Sequence, residues 1–216
     1  MSLLFFVPAF LIAITVHEVA HAYVAWRLGD PTARAMGRIT LNPLRHIDPF
    51  GLIILIIFRF GWAKPVLINP RNFKNEKMGM ALSALAGPVS NIALAFLGLI
   101  ISNIILVFAV NAEITINSSA GNVIMVALSF FGYFAFLNVW LALFNLLPVP
   151  PLDGSRIVNY FLPPHLSRYY EYVERYGLII IILLMVTVLR TPMGFVADAI
   201  LALLNFPLNW FFGLFL

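Results

Sequence analysis

The chain contains no cysteine, so disulfides and thiolate metal sites are excluded, and any bound metal must rest on histidine, aspartate or glutamate. Histidine itself is scarce, with four in 216 residues. Charge is scarce too: Asp, Glu, Lys and Arg make up 10% of the chain against 62% hydrophobic residues, and the mean hydropathy is +0.98. Too little polar surface remains to cover a soluble globule, which excludes a sizeable soluble domain and leaves a polytopic membrane protein. There is no internal repeat and no low-complexity tract.

What charge there is falls unevenly. Nine of the thirteen basic residues lie between Arg27 and Lys77, whereas 111–122 contains no Lys or Arg and Arg156, Arg168 and Arg175 follow the third long apolar run. The positive-inside rule therefore places 27–79 and 148–176 at the cytoplasmic side. The apolar runs predict an all-α membrane protein of about five transmembrane helices: Leu3 to Trp26, about Met80 to Val110, Val123 to Leu147, Tyr169 to Leu189 and Phe195 to Leu216. Residues 50–58 are apolar but fall short of the ~20 residues a span requires. They are expected to form a short re-entrant or β-like segment near 50–60, lining a cavity beside the first helix, where an extended edge would pair with a substrate strand, or else an interfacial segment that only seals the bundle.

The first run holds His17-Glu18-Val19-Ala20-His21. Histidines four residues apart share one helix face and can reach a single metal, and the adjacent glutamate can act on a water bound there. Composition alone would produce this pattern ~0.003 times in such a chain. A glutamate and two histidines near mid-helix are also costly in hydrocarbon, so they are expected to face protein or a watery cavity. The plainer readings are a signal peptide, disfavoured by the missing basic start and by Glu18, and a histidine pair bonded to other helices without metal.

A second constellation spans Asn145-Leu146-Leu147-Pro148-Val149-Pro150-Pro151-Leu152-Asp153-Gly154. Its three prolines break helical geometry and are expected to hold Asp153 on an irregular turn, with Gly154 free to take positive φ. A catalytic zinc commonly has three protein ligands, and Asp153 is the best candidate to join His17 and His21, with Asp30 and Asp48 as competitors. At 1.5 Å per residue His21 lies roughly 9 Å and His17 roughly 15 Å inward from Arg27, on the face where the proline-rich segment begins. Asp198 reads as a helix-end carboxylate or a polar contact between helices, His46 as structural or supporting, and His165 as solvated.

The two blocks together resemble the site-2 protease family of intramembrane zinc metalloproteases, in a small form without an appended domain. Weaker matches are Gly37 to Pro43, Gly61-Trp62-Ala63-Lys64-Pro65 and Ala86-Gly87-Pro88-Val89-Ser90-Asn91. The resemblance implies a single metalloprotease domain over 1–216 and one Zn2+ held by His17, His21 and Asp153. It further implies Glu18 as general base and Asn145 near the reacting carbonyl. Expected partners are transmembrane segments of substrate proteins, the lipid bilayer and a regulatory membrane protein, with no nucleic acid, and the expected place is the cell membrane with the site open to the cytoplasm. The rival classes are an ion transporter or metal-binding protein using the same polar groups, and an inactive homologue acting as a scaffold.

Overall fold

The computed structural model describes residues 3–58, 61, 63–163, 166, 173–184 and 190–215. Its regular elements are helices, with no strand among the described residues. The helices are α1 (Leu3–Arg27), the single turn α2 (Thr32–Ala35), α3 (Pro49–Phe58), α4 (Glu76–Asn111), α5 (Ser119–Asn145), α6 (Asp153–Phe161), α7 (Gly177–Leu184) and α8 (Arg190–Phe212). Four of them, α1, α4, α5 and α8, are long and apolar enough to cross a membrane. The expected span over 169–189 falls partly outside the described residues; 173–174 and α7 are its described helical parts.

Three of the four long helices start or stop where their local chemistry dictates. Asn75 accepts the Met78 N–H to cap α4, and Ser118 accepts the Gly121 N–H to cap α5, relieving amides that have no partner within the helix. The end of α1 is closed by Gly29 at φ +113°, with Gly29 N–H bonded to Trp26 O and Asp30 N–H to Ala25 O. That pair of bonds is the Schellman ending, which favours glycine because a side chain is strained at positive φ.

Packing follows stripes of small residues. On α1 the buried positions include Ala9, Ala13, His17, His21 and Ala25, and on α4 Gly79, Ser83, Gly87, Asn91 and Ala95. A four-residue repeat keeps each set on one helix face, and small side chains let backbones approach in a bilayer, where no hydrophobic force drives helices together. The helix α4 is central and packs against α1, α5, α6 and α8. Away from the histidines the core is Ala95, Ala135, Val139 and Ala197, bringing α4, α5 and α8 together.

Of the two readings of the segment near 50–60, the β-like one gives way: Pro49–Phe58 is a short, ten-residue helix, opened by Asp48 Oδ1 accepting the Gly51 N–H. Its apolar residues are continuous rather than alternating, which suits a short helix as well as a strand. Among the described residues, extended pairing is confined to its base, at one bridge between Ile47 and Ala63 and a bond from Lys64 N–H to His46 O. Arg38 ties the same base by donating to the carbonyls of Arg45 and Lys64. Likewise Asp153 does not sit on an irregular turn but opens α6, and Gly154 has no positive φ. Glycine is needed there for closeness, because a Cβ would collide with the Leu146 carbonyl oxygen.

Candidate metal centre

The histidines of α1 point into the seam with α4. His17 Nδ1 lies 2.6 Å from Asn91 Oδ1, and His21 Nδ1 lies 2.7 Å from Ser83 O. Both partners are oxygens that accept, so both δ nitrogens donate, and in the neutral imidazoles the lone pair is on Nε2. Those two Nε2 atoms are 2.9 Å apart. Asp153 Oδ2 approaches from the start of α6 and stands 3.2 Å from each.

With the rings neutral, three electron-rich atoms thus converge, and Asp153 Oδ2 is buried with no hydrogen-bond partner. Such a cluster repels itself unless a cation sits within it. For metal–ligand bonds of ~2.0–2.1 Å, the edge of a coordination tetrahedron is about 3.3 Å. The observed triangle of 2.9, 3.2 and 3.2 Å is close to one face of that figure, leaving the fourth corner open. The donor set fits zinc, and His17, His21 and Asp153 are the one metal-capable group found among the described residues.

Room for the rings comes from Gly87, where a Cβ would meet His17 Cε1, His21 Cε1 and His21 Nε2 at 2.5 Å each. Glu18, next in sequence to His17, is 9% exposed. Its Oε2 accepts the Val66 N–H at 3.0 Å, from the extended chain behind α3.

The other acidic and imidazole candidates are used elsewhere. Asp30 is fully buried and accepts bonds from Thr32 Oγ1 and N–H, Asn69 N–H and Asn72 Nδ2. Burial alone would raise its pKa, yet these four bonds stabilise the carboxylate and hold it below the ordinary value. It joins the end of α1 to the approach of α4. Asp48 caps α3, and Asp198 is exposed on α8. His46 is buried and donates from Nε2 to Thr40 O at 2.8 Å, outside the metal-capable group. Asn145 ends α5 with its amide bonded back to Leu141 O, and it too stands outside that group. His165 lies outside the described residues.

Asn91, Ser83 and Gly87 support the histidines although the sequence singles out none of them for that role. Asn91 and Gly87 do lie within the weakly matching Ala86–Asn91 stretch. The four-residue repeat of small and polar residues from Gly79 to Ala95 is the signal that would have found all three.

A bundle of apolar helices with a buried, metal-capable group of two histidines and an aspartate at one helix seam, and a glutamate beside it, is the architecture of a membrane metallohydrolase. The chain belongs to peptidase family M50, whose model matches residues 5–187. It is 43% identical to YwhC of Bacillus subtilis, named as a candidate zinc metalloprotease, over 88% of this chain and 82% of that protein. It is also similar to the Rip2 proteins, named in the same way. The identity is 30% in Mycolicibacterium smegmatis, over 84% of this chain and 66% of the relative, and 29% in Mycobacterium tuberculosis, over 82% and 65%. No solved structure matches the chain. The protein is therefore a multi-pass membrane zinc metalloendopeptidase of the site-2 protease type, acting in a lipid environment on membrane substrates, and the transporter reading is set aside.

Proposed function

We propose that the 216 residues act as one intramembrane metalloprotease domain that hydrolyses peptide bonds within or near transmembrane segments. In this reading His17, His21 and Asp153 hold zinc, Glu18 is the general base and the site opens to the cytoplasm. The observation that carries it is the triangle of lone pairs at 2.9, 3.2 and 3.2 Å, buried beside a glutamate inside a span.

Zinc bound there supplies a Lewis acid that polarises the scissile carbonyl and acidifies water. Glu18 takes the proton from the attacking water and returns it to the leaving amine. The Val66 N–H fixes where that carboxylate sits. Asn145 turns its amide from Leu141 O toward the developing oxyanion. A substrate helix shields its own peptide bonds, so the segment to be cut must unwind locally, which favours substrates with helix-breaking residues.

The test is zinc content of the detergent-purified protein, because it requires no knowledge of the substrate. Near one zinc per chain is expected in wild type, with marked loss in His21→Ala and in Asp153→Ala. A wild type that takes up no zinc, or an Asp153→Ala variant that keeps all of it, overturns the ligand set.

A further inference from the structure

The bond from His17 Nδ1 to Asn91 Oδ1 has a condition attached: an asparagine presents oxygen at that point only when its amide is held one way round. The holding group is on α5. Asn91 Nδ2 donates to Asn138 Oδ1 at 2.9 Å, and Asn138 Nδ2 donates to Phe134 O at 2.9 Å, one turn earlier on the same helix.

A backbone carbonyl only accepts. Phe134 O therefore draws the nitrogen of Asn138 to itself and leaves the Asn138 oxygen facing Asn91. That oxygen in turn draws the Asn91 nitrogen, which turns the Asn91 oxygen to His17. His17 is left with its proton on Nδ1 and its Nε2 lone pair in the metal position. Both asparagines are 0% exposed, so water does not compete for these bonds. His21 needs no such device, since its partner is the Ser83 carbonyl, whose oxygen has no nitrogen to exchange with.

We propose that Asn138 is a positioning residue of the metal site, acting on His17 from two side chains away by setting which way round the Asn91 amide sits. This rests on the zinc reading above. It assigns to α5 a share in the metal site, although no metal ligand lies on that helix.

The test is zinc affinity, by competition with a chelating dye, in a double-mutant cycle. Asn91→Leu is expected to weaken binding ~10–100-fold, the usual cost of losing a ligand's outer partner. Asn138→Leu is expected to weaken it measurably by itself, yet to add nothing in the Asn91→Leu background, where no amide remains to be oriented. A carboxylate offers oxygen whichever way it turns, so Asn138→Leu should also cost nothing beside Asn91→Asp. Equal losses from Asn138→Leu in the wild-type and Asn91→Leu backgrounds, or no loss in either, overturn the proposal. The cycle with Asn91→Leu adds no buried charge and decides the matter even if the variants carrying Asn91→Asp do not fold. Failure of the zinc reading itself looks different: wild type then takes up no zinc.

Discussion

Glu18 on α1 and Val66 behind α3 are joined by a 3.0 Å bond from the Val66 amide to the Glu18 carboxylate, across forty-eight positions of sequence. The link makes the short helix and its flanks part of the site, because the base of α3 is itself fixed by Arg38 and by the Lys64 to His46 bond. Replacing Glu18 with Gln should lower peptide cleavage by ~10²–10⁴-fold, the range of general acid–base catalysis, while zinc content stays at the wild-type level. Full activity in that variant would remove Glu18 as the base.

The same bond makes a prediction about Val66. Proline at this position removes the amide donor and leaves the carboxylate free to move. Cleavage by Val66→Pro should fall about tenfold, the equivalent of one hydrogen bond to a charged group at ~1.5 kcal/mol, with zinc retained. Turnover equal to wild type would mean that the bond does not position the base.

Asp30 predicts a pH dependence of stability. Its folded pKa lies below the ordinary carboxylate value, so the folded state binds fewer protons than the unfolded chain. Its contribution is then present above the ordinary carboxylate pKa of about 3.9 and is lost as pH falls through the lower folded value. Asp30→Asn should melt below wild type at pH 7, by about 1–3 kcal/mol for an unsatisfied buried network, and the gap should close in acid. A gap of constant size from pH 7 into acid would exclude this account.

The parts of the site that announce themselves in sequence do so because of rarity and period. His17, Glu18 and His21 are expensive groups in an apolar run, and four-residue spacing alone puts the two imidazoles on one face. Asp153 could be reached because few acids lie near the right end of α1. Asn91 and Ser83 were hidden, because a polar residue in a membrane helix looks alike whether it bonds a neighbouring helix or a metal ligand. The structure of 49–58 was ambiguous in sequence, since a short continuous apolar run suits both helix and strand. Gly154 was misread for a related reason: glycine signals either positive φ or close approach, and only packing distinguishes them.

Orientation in the bilayer is open to a direct test, since the native chain has no cysteine to interfere. Lys74 lies before α4 and Asn117 lies between α4 and α5, and both are exposed. In intact cells a membrane-impermeant thiol reagent should label Asn117→Cys, and should reach Lys74→Cys only after permeabilisation. This follows from the basic residues clustered before α4 and absent from 111–122. The opposite pattern would put the site on the outer side.

Gly87 offers the sharpest separation between packing and chemistry. A Cβ there would meet ring atoms of His17 and His21 at 2.5 Å, whereas a Cβ at Gly132 on α5 would meet nothing within 4 Å. Alanine at either position improves helix propensity by about 1 kcal/mol, so a simple propensity argument predicts that both variants are stabilised. At Gly87 the added methyl must displace both imidazoles, disturbing their 3.2 Å contacts with Asp153. Gly87→Ala is therefore expected to lose zinc affinity by at least ~10-fold and cleavage with it, while Gly132→Ala keeps both. If Gly87→Ala binds zinc as tightly as wild type, the rings do not occupy the space the small-residue stripe of α4 opens for them.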